Sequence, residues 1–241
     1  MTTARPRRIR GVLFDKDGTV LDYWKTWVPI NRRVAMFAAG GDAALALRLL
    51  HLGGHDPVTD IVRSGSPFAA GTAEDLARLF ASDFRDGSFA DLVSGIDGIF
   101  RDGGAETAVA EPGARGVVED LTRAGLVSGL ATNDSVAGMT ASLGRAGLYD
   151  VFAFKVAADS GHGAKPEPGM ALAFADFTGL APDMLVVVGD SVHDLEMARR
   201  AGFGLKIAVL SGPGLEADLR PLADLVLPSI RELPAALAEY I

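Results

Sequence analysis

The stretch Gly11-Val12-Leu13-Phe14-Asp15-Lys16-Asp17-Gly18-Thr19 decides how this chain is read. A short apolar run rich in strand formers ends abruptly in two carboxylates, a glycine and a threonine. The run is too short for a helix, so it reads as a buried strand that delivers Asp15 at its C-terminal tip. If the chain stays extended for one more step, Asp15 and Asp17 project to the same side, because side chains alternate with period two. Gly18 then lets the backbone turn with positive φ. Two meanings are open at this point. One is an ordinary Asp-Gly turn closing a strand; the other is a nucleophilic carboxylate beside a second carboxylate able to move protons.

The totals narrow the setting. With 241 residues, 49% hydrophobic and 22% charged, the chain can form one large domain or a core with a smaller second unit. Lys+Arg of 23 against Asp+Glu of 31 gives a net charge of −8. That balance, without a basic stripe, argues against a nucleic-acid partner. Cysteine is absent, which excludes disulfides, thiolate metal sites and thiol nucleophiles and fits a reducing compartment. Arg5, Arg7, Arg8 and Arg10 precede the first strand, but the apolar run stops at Asp15, far short of a signal h-region or a membrane span. The expectation is a cytoplasmic protein with no membrane association; oligomeric state is not legible.

Along the chain, a helix is expected from about Trp27 to Ala39, with Ile30, Val34 and Phe37 at helical spacing, and a second from Asp42 through Leu50. Thr72-Ala73-Glu74-Asp75 reads as a helix start, with Leu76, Leu79, Phe80 and Phe84 inward, and a further helix carries Leu92, Ile96, Ile99 and Phe100. Residues 21–108 are thus helix after helix, an inserted unit. From Pro112 the pattern alternates. Helices are expected at 114–124, 135–146 and 191–201, with another through Met170, Phe174 and Phe177. Strands are expected at 126–131, 151–156, 184–188, 205–210 and 224–227. Ser229-Ile230-Arg231-Glu232 is a capping box opening a last helix. This is an α/β chain: a doubly wound, Rossmann-like parallel sheet (1–20 and 109–241) with an inserted α-helical cap (21–108).

In such a sheet ligands bind beyond the C-terminal strand ends. The residues expected there are Asp15 and Asp17, Thr132 and Asn133, and Asp190 and Asp194, with Lys165 reaching the same edge from a loop. Four carboxylates cannot share a pocket without positive charge. Hard oxygen donors without cysteine favour Mg²⁺. Backbone N–H groups around Gly18 and after Asn133 are available for a phosphate. Phosphoryl transfer to a carboxylate is the chemistry this inventory suggests.

Asp15-Lys16-Asp17-Gly18-Thr19, Thr132-Asn133, Lys165-Pro166 and Gly189-Asp190-Ser191-Val192-His193-Asp194, in that order, resemble the haloacid dehalogenase superfamily, and within it the phosphoglycolate phosphatase-like branch with a helical cap. The resemblance implies that Asp15 is the nucleophile, forming an aspartyl-phosphate, and a Mg²⁺ ligand. It implies that Asp17 protonates the leaving oxygen, later activates water and touches the metal through its backbone carbonyl. Thr132 would bond the phosphate with Asn133 beside it, Lys165 would pair with Asp15 and the phosphate, and Gly18 would lie against the phosphate. Asp190 would ligate the metal and Asp194 would hold a metal water or orient Lys165. The implied partner is a small phosphorylated metabolite.

Asp17 separates the activities: the dehalogenases of the superfamily need neither that aspartate nor a metal. Phosphonate hydrolysis in the family uses a cap lysine, for which Lys25 is the one counterpart. A sugar phosphomutase is the nearest alternative, but its linker histidine is missing from Tyr23-Trp24-Lys25-Thr26-Trp27. A receiver-type phospho-accepting domain would need neither Asp17 nor the helical insertion. Tyr23, Trp24, Lys25 and Trp27 are expected at the pocket or the cap's base, and Ser64-Gly65-Ser66-Pro67-Phe68 as a loop dipping toward the site. His162 and His193 are expected to be exposed.

Overall fold

The computed structural model describes residues 8–241. Six strands, β1 (Gly11–Asp15), β2 (Val127–Thr132), β3 (Phe154–Ala157), β4 (Leu185–Gly189), β5 (Leu205–Val209) and β6 (Leu225–Leu227), pair in the order β3-β2-β1-β4-β5-β6. Every pairing is parallel, with Val12 opposite Ser128 on one side and Val186 on the other. The strand order reverses between β1 and β4, so a cleft opens at their C-terminal ends.

Strand periodicity builds the layers. Val12 and Phe14 point into one apolar layer, with Val118 and Leu121 of α6 (Ala114–Arg123), Met139 and Leu143 of α7 (Val136–Arg145), and Leu233 and Leu237 of α11 (Leu233–Leu237). Leu13 points the other way, into a layer with Met170 and Phe174 of α8 (Gly169–Thr178) and Leu195 and Ala198 of α9 (Val192–Ala201). Both faces of the sheet are therefore covered, and its middle strands read as continuous apolar runs for that reason.

Phe174 packs against two glycines. A Cβ on Gly129 would stand 2.6 Å from Phe174 Cε2, and one on Gly11 would stand 2.7 Å from Leu185 Cδ2. Gly129→Ala is expected to destabilise the protein by about 1–3 kcal/mol through overpacking, read by urea unfolding. A loss below about 0.5 kcal/mol, the ordinary surface range, would mean that Phe174 turns aside freely.

Between β1 and α6 lie α1 (Tyr23–Ala38), α2 (Ala43–Leu52), α3 (Pro67–Ala70), α4 (Ala73–Phe80) and α5 (Phe89–Thr107). They share an apolar cluster separate from the two sheet layers, including Ile30, Val34, Leu49, Leu76, Phe80 and Ile96. Thr72 caps α4 and Ser88 caps α5 in capping boxes with Asp75 and Asp91. α1 starts four residues before its expected beginning, because the Asp22 carboxylate accepts the Lys25 N–H and sets the first turn there. β3 is shorter than expected, since Tyr149–Val151 winds into a 3₁₀ turn. The Ser229–Glu232 capping box forms, but it opens a 3₁₀ turn that runs into α11 rather than a long helix. One further short helix, α10 (Glu216–Leu219), follows β5. No helix among the described residues is long and apolar enough to cross a membrane.

Candidate active site

Asp15 closes β1, Thr132 closes β2, and Asp190 follows the last residue of β4, so three strand ends meet at the cleft. Lys165 arrives from the loop after β3. Its Nζ donates to Asp15 Oδ1 at 2.5 Å and to Asp194 Oδ1 at 2.6 Å, with all three side chains buried. The other oxygen of Asp194 caps α9, accepting from Ser191 N at 3.1 Å and Ser191 Oγ at 2.9 Å. One carboxylate thus fixes both a helix start and the lysine.

Asp190 is enclosed by glycine. A Cβ on Gly212 would lie 2.0 Å from its Oδ2, and one on Gly18 would lie 2.9 Å from the same atom and 2.7 Å from Gly212 Cα. Gly18 has φ +82, which a side chain rarely adopts. Its amide donates to Leu21 O at 2.9 Å. Gly18 therefore contributes room for Asp190 and a turn, while its N–H serves the turn. Ser211 Oγ donates to Gly18 O at 2.7 Å and ties the two loops together.

Asn133 acts on Lys165 itself. Its Oδ1 accepts the Lys165 N–H at 2.8 Å and its Nδ2 donates to Lys165 O at 3.2 Å and to Ala70 O at 2.9 Å. One amide side chain clamps the lysine's backbone and joins the core to α3. Thr132 Oγ1 accepts the Asp134 N–H at 3.2 Å.

Asp17 lies at the rim of this group and faces the helical unit. It accepts from Trp27 Nε1 at 2.5 Å and from Lys16 Nζ at 2.9 Å. Lys16 is fully buried, is also 3.1 Å from Asp134 Oδ2, and sits 4.9 Å from the centroid of the Trp27 ring. Burial would lower Lys16; Asp17 and Asp134 outweigh it and raise the group, which stays charged.

The electrostatics of the cleft are strained toward negative charge. Burial, more than any neighbour, pushes Asp15 up to about 7, with Asp194 and Asp17 adding to it and Lys165 opposing it. Burial likewise pushes Asp190 well above the carboxylate range, with Asp15 and Asp194 adding to it. Lys165 would be lowered by burial, but its two carboxylate partners raise it. Oxygens of Asp15, Asp190 and Asp194 lie within 4.8 Å of one another. Three buried hard donors with a deficit of positive charge suit a small divalent cation such as Mg²⁺. The Asp17 carboxylate is not in that trio.

The cleft is lined on the core side by Asp15, Asp17, Asn133, Lys165, Asp190 and His193, and on the helical side by Tyr23, Trp27, Phe100 and residues 67–71. α1 places Tyr23 and Trp27 one turn apart on the cleft face. Trp24 is exposed, and Lys25 is an exposed partner of Asp22, so neither lines the cleft. Of the expected segment Ser64–Phe68, Pro67 and Phe68 line the cleft, and Ala69, Ala70 and Gly71 continue it. His162 is exposed as expected; His193 is not, because the first turn of α9 carries it into the cleft wall with Nδ1 buried and unpartnered. Reading the sequence missed Lys16, Asp134 and Gly212. A lysine directly between two motif aspartates was the available signal for the first.

Comparison with known proteins converges on the same reading. The model of the haloacid dehalogenase-like hydrolase family matches residues 9–202. The chain belongs to that family. A phosphoglycolate phosphatase of Shigella sonnei is 26% identical over 248 residues, covering 95% of this chain and 92% of the relative. A Vibrio cholerae D-glycero-β-D-manno-heptose-1,7-bisphosphate 7-phosphatase is 41% identical over 70 residues, which spans only 38% of that enzyme and 29% of this chain. The crystal structure of a predicted phosphoglycolate phosphatase from Haemophilus somnus 129pt superposes with a TM-score of 0.74 at 16% identity, covering 95% of this chain and 97% of that one. That likeness speaks to the fold.

Proposed function

We propose that this haloacid dehalogenase-like hydrolase is a Mg²⁺-dependent phosphatase that cleaves a small phosphomonoester through an aspartyl-phosphate on Asp15. The observation that carries the reading is the ion cluster at the strand ends: Lys165 Nζ bound to both Asp15 and Asp194, with Asp190 beside them and Asp17 at the rim. The phosphatase names of the full-length relative and of the shorter match agree with it.

Asp15 attacks phosphorus through a carboxylate oxygen, forming the aspartyl-phosphate bond as the bond to the ester oxygen breaks. Asp17, turning from Lys16 and Trp27, gives its proton to that departing oxygen. The resulting Asp17 carboxylate then takes a proton from water. Water's oxygen attacks the phosphorus, inorganic phosphate leaves, and Asp15 is regenerated. Lys165 neutralises charge on Asp15 and on the phosphoryl oxygens throughout. Asp15, Asp190 and Asp194 would hold Mg²⁺, with the Asp17 carbonyl as a further ligand, and the cation supplies charge neutralisation at the phosphoryl group. Helices α1–α5 would close over the cleft and exclude water. Phosphate release from a panel of phosphomonoesters, with Mg²⁺ and then with EDTA, tests the reading; turnover undiminished by EDTA removes the metal from it.

The same carboxylates predict a pH effect. Asp15 and Asp190 titrate higher in the folded protein than in the unfolded chain. Their contribution to stability is therefore largest at low pH and is lost as pH rises through the folded values, near 7 for Asp15. A cation bound to the carboxylates relieves that loss. The rise in Tm on adding Mg²⁺ is expected to be larger at about pH 8 than at about pH 5.5. An equal rise at both would separate these carboxylates from the metal.

A further inference from the structure

The helical side of the cleft offers the substrate carbon and ring surface but few polar contacts. Its wall is Tyr23, Trp27, Phe100, Pro67 and Phe68, continued by the turn through Gly71. The side-chain donors on this wall and the amides of residues 69–71 are already engaged. Trp27 Nε1 donates to Asp17, and the Tyr23 hydroxyl donates to Phe68 O at 2.9 Å. Ala69 and Ala70 N–H groups donate to Ser66 O, Gly71 N–H donates to Pro67 O, and Ala70 O accepts from Asn133.

Charge is the second constraint. Among the described residues lining the cleft, Lys165 is the one Lys or Arg side chain, and its Nζ lies between Asp15 and Asp194. Five aspartates line the same cleft: Asp15, Asp17, Asp134, Asp190 and Asp194. A divalent cation and Lys165 would bring three positive charges against three negative ones on Asp15, Asp190 and Asp194 and about two on the phosphoryl group, so none is left over for a second anion. Among the described residues of the helical wall, no side chain balances a second anion on the far end of the substrate, where it would meet desolvated ring surface.

We infer that the alcohol released from the phosphomonoester is uncharged and presents a carbon or ring face to Trp27 and Phe100, so that esters carrying a carboxylate or a second phosphate are poor substrates. The inference rests on the phosphatase reading above. It also parts this chain from its relatives, because phosphoglycolate carries a carboxylate and a heptose bisphosphate carries a second phosphate. His193 lines the cleft beside this wall, with its Nδ1 buried and without a partner.

The test is a matched pair of substrates assayed with Mg²⁺. Phosphoglycolate and 2-hydroxyethyl phosphate have nearly the same size and differ in a carboxylate against a hydroxymethyl group. The expected kcat/KM favours 2-hydroxyethyl phosphate by about tenfold or more, on the order of one unpaired charge. Ala69→Lys, which puts a cation on the wall, is expected to move the ratio about tenfold back toward phosphoglycolate. Phosphoglycolate turned over as well as or better than its uncharged counterpart by the wild-type protein overturns the inference alone. Failure to release phosphate from either ester or from p-nitrophenyl phosphate overturns the phosphatase reading, and the inference with it.

Discussion

Asp15→Asn is expected to abolish Mg²⁺-dependent phosphate release, by at least about 10³-fold, while leaving the protein folded. An amide cannot form the acyl-phosphate bond, so the covalent route is lost rather than slowed. The fold has no need of the charge. Burial opposes ionisation of Asp15, so a neutral side chain of the same shape removes an unfavourable buried charge. Lys165 keeps Asp194 as a partner at 2.6 Å. Tm measured at about pH 8, above the Asp15 titration, should therefore be unchanged or higher in the variant. The combination is diagnostic, because a merely structural aspartate would lose stability along with activity. A variant retaining a tenth of the wild-type rate would remove Asp15 from the nucleophile's place. Beryllium fluoride, a phosphoryl mimic, should bind the wild-type protein at Asp15 and fail to bind the variant.

The strand-end residues were legible because strands announce their own ends. Gly11–Asp15 and Leu185–Gly189 are continuous apolar runs that stop at a carboxylate, and in a doubly wound sheet such stops lie on one edge. Lys165 was legible only as a loop residue able to reach that edge. Its grip on two carboxylates, and the hold of Asn133 on its backbone, are tertiary facts that join residues about thirty apart or more. The alternation that places Val12 and Phe14 in one layer and Leu13 in the other was equally available from period two.

What escaped notice shares a physical character. Lys16 looks like a solvated neighbour of two aspartates, yet it is buried because Asp17 and Asp134 both reach it. Gly212 looks like a turn residue, yet its missing side chain is what admits the Asp190 carboxylate. His193 looks like an exposed first-turn residue, and the direction of α9 decides otherwise. In each case the local sequence is ordinary, and the meaning comes from tertiary packing.

Asp17→Asn should divide the reaction in two. The asparagine can still accept from Trp27 Nε1 and Lys16 Nζ, which hold Asp17 in place, so the fold should persist. As a general acid, Asp17 matters in proportion to how badly the leaving oxygen needs a proton. Hydrolysis of an alkyl phosphate should fall by about 10²–10⁴-fold, the usual range for losing a positioned acid or base. With p-nitrophenyl phosphate, whose leaving group departs unprotonated, the first step should survive largely intact. The second step still needs a base to take a proton from water, and the variant has none at this position. Phosphoenzyme should therefore accumulate, seen as a burst of p-nitrophenolate near one equivalent and a mass increase located on Asp15. Equal losses for the alkyl and aryl esters, with no burst, would place Asp17 in the framework of Lys16 and Trp27 rather than in proton transfer. The contrast depends on leaving-group chemistry and so distinguishes an acid from a residue that only shapes the pocket.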